Sequence, residues 1–96
     1  MKPFIAIVHK EPDSAYGMSF PDAPGCFSAA DEIDKLFLNA GEALALWAEG
    51  VREDGMALPD PRDLSVLLDD EEWRESFATA AMVIAVPAPS ALLLAA

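Results

Sequence analysis

Positive charge is what this sequence has least of. Six lysines and arginines stand against seventeen aspartates and glutamates in 96 residues, a formal net charge of −11. Binding a phosphate backbone needs Lys and Arg contacts, so direct recognition of nucleic acid by this segment is not expected. A basic protein is the natural complement. The one cysteine, Cys26, excludes an intramolecular disulfide. With no basic neighbour in sequence, it reads as a small core hydrophobe rather than a reactive thiol. The one histidine, His9, stands at a strand end with no nucleophile or metal-ligand spacing around it, and reads as a surface or turn residue. No phosphate loop, zinc pattern or nucleophile elbow occurs, and no cofactor is expected. The apolar stretch of MKPFIAIVHKEPD is too short for a secretory signal, so the cytoplasm is the expected setting. Residues 77–96 carry no charge, the nominal length of a membrane span. Pro87, Pro89 and Ser90 interrupt that run, no basic cluster flanks its end, and no membrane helix is expected.

What is present is apolar material, 53% of the chain, enough for the core of one domain spanning residues 1–96. PFIAIVH, residues 3–9, is β-branched and aromatic with apolar residues on both faces, the pattern of an interior strand. KEPDS is a turn, and AYGMSF then alternates Tyr16, Met18 and Phe20 against Gly17 and Ser19, completing a hairpin with one buried and one low face. FPDAPGC follows as a stiff corner. Phe20 and Cys26 anchor its ends, Pro21 and Pro24 restrict it, and Gly25 supplies a conformation that other residues resist. The role expected for this corner, Asp22 included, is structural: it positions a short third strand over residues 26–30 and the helix beyond.

From Ile33 the period changes to three and four. Ile33, Leu36, Phe37, Ala40, Leu44, Trp47 and Val51 form one stripe, with Glu42, Glu49 and Glu53 pointing away. Asp31 is the expected N-cap, and Gly55, Pro59 and Pro61 end the helix. Gly41 within it suggests close packing on a neighbour. Leu38 and Leu46 lie off the stripe and mark a candidate second contact surface. DLSVLL and DDEEWRESF read as one interrupted or two short helices with Asp69 or Asp70 as N-cap. Met82–Val86, continuously apolar, reads as a last strand covered on both sides.

The order strand, strand, strand, helix, short helix, strand is an α+β arrangement. A helical crossover would set the last strand parallel to a neighbour, beside the first strand, in a mixed four-stranded sheet with helices packed on one face. The opposite face would stay partly open for a partner or a second copy. Charge is uneven too: residues 31–75 hold fourteen acids and four cations, while residues 1–30 are nearly balanced. The candidate partner-binding side chains are therefore the helical acids Asp34, Glu42, Glu49, Glu53, Asp69 and Asp70.

The stretch from Tyr16 to Pro61 resembles the N-terminal domain of HicB-type antitoxins. The matching residues are Tyr16 to Cys26, Ser28 and Asp31, then Asn39, Ala40, Glu42, Ala43 and Leu44, then Asp54, Gly55, Pro59 and Pro61. The resemblance implies a partial RNase H-like β-β-β-α-β fold. It also implies binding and occlusion of a HicA-like toxin, a small basic mRNA-cleaving protein. HicB-like chains usually continue into a DNA-binding segment; here the sequence reaches SALLLAA without one, so transcriptional autorepression is not carried over. An RNase H-like nuclease would want a carboxylate in its first strand, and PFIAIVH has none, so no catalysis is expected. A solitary HicB-like domain with another partner and a degenerate nuclease are the alternative readings. Self-association is expected as well, because SALLLAA is too apolar to end free in water.

Overall fold

Seven residues of alternating side-chain direction, FIAIVHK, form the central strand β1 (Phe4–Lys10) of the computed structural model, which describes residues 2–57 and 59–89. The turn after it uses Asp13 at φ 62°, and Ser14 closes it by donating its amide to the Glu11 carbonyl at 3.2 Å. Asp tolerates that left-handed backbone better than most side chains. β2 (Tyr16–Ser19) returns antiparallel to β1 with Met18 opposite Val8, and β3 (Phe27–Ala30) pairs antiparallel with β2, Ser28 opposite Met18. β4 (Met82–Val86) lies on the other side of β1, Ile84 opposite Ala6, so the strand order is β3-β2-β1-β4.

Every pairing is antiparallel, which corrects the mixed sheet expected from the element order. A single helical crossover would have returned the chain to the start of β1. Instead, the long helix α1 (Leu36–Glu53) is followed by α2 (Leu64–Leu68) and α3 (Glu71–Ala78), which bring the chain back to the far end of β1. There the Ala81 amide donates to the Val8 carbonyl at 2.7 Å and Met82 pairs with Val8, so β4 runs down against β1. The α+β class and the place of β4 beside β1 stand. β4 is, however, an edge strand among the described residues, with Val83 and Ala85 exposed, rather than one covered on both sides. Its even-numbered residues alone turn into the core, which an unbroken apolar run cannot signal.

The helices also do not share one face. Phe4, Ala6 and Val8 of β1 meet Leu36, Ala40, Leu44 and Ala48 of α1 in the main core, where the Phe4 and Trp47 rings pack edge to face at 5.9 Å. The opposite face, carrying Ile5, Ile7, His9, Gly17 and Ser19, is taken by α2 and α3. Ile5, Ile7 and Leu67 are buried outside the main cluster, and His9 Nε2 donates to the Ser76 carbonyl at 2.9 Å. His9 is thus half-buried, a tie between sheet and α3 that also lies 3.3 Å from Thr79 Oγ1, rather than a free surface or turn residue. The flanks of this face, at Val83 and Ala85 on β4 and at Phe27 and Ala29 on β3, stay exposed.

At its start the long helix departs from expectation. Residues Ile33–Lys35 form a 3-10 turn, α1 begins at Leu36, and Asp31 caps neither: Glu32 and Lys35 hold the cap positions without side-chain bonds. Ile33 and Phe37 are exposed, so the buried stripe narrows to every fourth residue, Leu36, Ala40, Leu44 and Ala48. The helix ends as Gly55 predicts. Gly55, at φ 71°, donates its amide to Arg52, and Met56 donates to Val51, the paired bonds of a Schellman stop.

Gly41 does not pack on a neighbour; a Cβ there would meet nothing within 4 Å. Gly41→Ala is therefore expected to stabilise the fold by roughly 0.5–1 kcal/mol through helix propensity alone. A rise in the urea midpoint with an unchanged m-value would show it.

Candidate partner interface

The corner between β2 and β3 is built from two consecutive turns, with the Ala23 amide on the Phe20 carbonyl at 3.1 Å and the Cys26 amide on the Ala23 carbonyl at 3.0 Å. Phe20, Pro21, Ala23 and Cys26 are buried, and Gly25 takes φ 83°, which needs glycine. Two long-range ties hold the corner. Trp47 Nε1 of α1 donates to the Pro24 carbonyl at 2.9 Å. Asp22 accepts the Arg62 amide at 2.7 Å and the Arg62 guanidinium at 2.8 Å. The same Arg62 reaches Asp70 at 3.1 Å, whose other oxygen caps α3 by accepting the Glu72 amide at 2.9 Å. That amide first, and the Arg62 guanidinium second, hold the Asp70 carboxyl below its ordinary pKa. Arg62 links corner, linker and α3, and sequence reading missed it. Its signal was faint: one cation amid the prolines and aspartates of PDPRD.

Tyr16 is half-buried against the main core with Lys10 Nζ 5.6 Å from its ring. Burial pushes the Cys26 thiol up to about 11 from 9.0. A thiol reagent near pH 8 is therefore expected to react with the folded chain on the order of 100-fold more slowly than in denaturant, since two pKa units remove that fraction of thiolate. The thiol's contribution to stability is complete below pH 9.0 and is lost as pH rises through about 11.

The six candidate acids fall into separate groups. Glu42, Glu49 and Glu53 are exposed on α1, and at about 100° per residue they lie within an arc of roughly 40°. Asp34 is exposed on the 3-10 turn that precedes α1. Asp69 ends α2, and Asp70 is engaged with Arg62 and the start of α3, both on the other side of the sheet from α1. Among the described residues no three His, Cys, Asp or Glu side chains converge where a metal could be held.

Beside the α1 acids runs an open groove of about 730 Å³, floored by Phe37, Leu38, Gly41 and Ala45 and walled by Pro87 and Pro89 beyond β4. Glu42 and Glu49 stand on its rim. Leu38, read from the sequence as off the core stripe, is 57% exposed here; Leu46, 71% exposed, lies outside the groove lining. The groove passed unseen in sequence because Val86–Pro89 reaches α1 only through the antiparallel placement of β4. SALLLAA lies outside the described residues, and among those described no helix is long and apolar enough to cross a membrane.

Residues 4–90 match the family model described as the HicB_like antitoxin of bacterial toxin-antitoxin system. A curated relative, an uncharacterized 14.9 kDa protein in the rep-hol intergenic region of Haemophilus phage HP1, is 36% identical over 67 residues, 70% of this chain. The chain spans about half the length of that relative, 50%. Among solved structures, a chain of the HicA3 and HicB3 toxin-antitoxin complex superposes with a TM-score of 0.70 at 27% identity, over 88% of this chain and 95% of its own. The Burkholderia pseudomallei antitoxin HicB gives 0.69 at 31% identity, over 90% of this chain and 61% of its own. The isolated N-terminal domain of that antitoxin gives 0.67 at 30%, over 86% and 93%. The chain belongs to the HicB-like antitoxin family.

Proposed function

We propose that this chain is the antitoxin of a toxin–antitoxin pair, binding a small, basic, mRNA-cleaving toxin and occluding its active site by contact rather than by catalysis. One observation carries the reading: Glu42, Glu49 and Glu53 share an exposed face of α1 next to an apolar groove. Such a face complements a cationic RNA-binding surface in both charge and apolar area. The structural neighbour solved with a HicA3 toxin supports a partner of that kind. The setting we assign is the cytoplasm, with residues 1–96 acting as one unit. The test is a search for a small basic protein encoded beside this chain's own gene, followed by co-expression of the two. The expected result is co-purification and suppression of RNA cleavage; cleavage at full rate in the presence of excess antitoxin would sink the reading.

A second reading, self-association, has an observation of its own. The outer edge of β4 has no partner strand among the described residues, and Val83 and Ala85 beside it are exposed. Free edges of apolar strands recruit further strands. Sedimentation of a monomer at micromolar concentration would remove it.

A further inference from the structure

Resting on the antitoxin reading, we propose that the groove along α1 seats an amphipathic helix of the basic partner, apolar side down, with lysines or arginines seven positions apart facing Glu42 and Glu49. Its floor is apolar because Phe37, Leu38 and Ala45 turn away from the main core, and it keeps its depth because Gly41 has no Cβ. A helix laid into it would bury apolar residues at the three- and four-residue spacing of helix-in-groove recognition. Glu42 and Glu49 are seven residues apart, about 10.5 Å along the axis, or two turns, so one partner helix packed alongside meets both at the same spacing. No Lys or Arg lines the groove among the described residues, so its own charged side chains, Glu42 and Glu49, are both negative. That selects a cationic occupant over a second copy, whose α1 would bring Glu42 and Glu49 against their own equivalents.

The probe is a synthetic helical peptide of about 15 residues, leucines at every third or fourth position and lysines seven apart. Its counterpart carries glutamate for lysine, and calorimetry with the full chain reads both. The lysine peptide is expected to bind at roughly micromolar Kd and the glutamate peptide not to bind. Gly41→Gln fills the floor with a side chain that helices accept, and E42K/E49K reverses the rim; each is expected to weaken binding about tenfold or more without lowering the melting temperature. Lysine-peptide affinity unchanged in both variants overturns the proposal. So does concentration-dependent sedimentation of the free chain that Gly41→Gln abolishes, which would give the groove to a second copy. The adjacent-frame protein separates the two levels of inference. If it binds wild type and both variants equally, the groove assignment falls and the antitoxin reading stands. If it fails to bind while the lysine peptide behaves as expected, the groove assignment stands and the antitoxin reading falls.

Discussion

Asp22→Ala is expected to lower stability by about 3 kcal/mol, among the costliest single changes open to this chain. The carboxylate is largely buried and takes the Arg62 amide and guanidinium at 2.7–2.8 Å. Its removal leaves that amide without an acceptor and the guanidinium with Asp70 alone. For a domain near this size, the loss translates into a fall in melting temperature of roughly 10–20 °C. Asp22→Asn retains one carbonyl oxygen and should cost about half as much. A double-mutant cycle with Arg62→Met separates the pair from the rest of the corner, with a coupling of about 1–3 kcal/mol expected. A coupling below about 0.5 kcal/mol would show that the corner holds without the clamp. Partner affinity should be untouched in whatever fraction of each variant stays folded, because Asp22 lies away from the groove residues.

Raising ionic strength from about 50 mM to about 500 mM is expected to weaken binding of the basic partner about tenfold or more. Glu42, Glu49 and Glu53 face water in the free chain, and pairs made by such groups contribute about 0.2–1 kcal/mol each at low salt. Three of them together give about 0.6–3 kcal/mol, most of it screened once the Debye length falls to a few ångströms. The apolar groove contact should survive, so binding weakens without vanishing. Calorimetric titration at the two salt concentrations reads this directly, and a flat response would assign the affinity to apolar burial alone.

How far these features were legible in the sequence depends on how local their causes are. β1, the Asp13 turn, the two-turn corner at Gly25 and the helix stop at Gly55 were readable because each follows from the residues that form it. The sheet's direction was not. A parallel return and an antiparallel return differ only in how far α2 and α3 carry the chain back, and that is decided by packing at Ile7, His9 and Leu67. The same non-local placement hid Arg62, whose partners lie forty and eight residues away. Of the site, the exposed glutamates of α1 were legible from helical period. The division of the six acids between two sides of the sheet was not, because charge patterning reports exposure and never which surface a side chain shares.

Whether the basic partner sits on the outer face of α1 is decided by mapping amide chemical-shift changes as that partner is added to the isotope-labelled full chain. The largest changes are expected over residues 37–53 and at Val86–Ala88, with α2 and α3 nearly still. Changes concentrated over residues 64–78, with residues 37–53 unmoved, would contradict that placement.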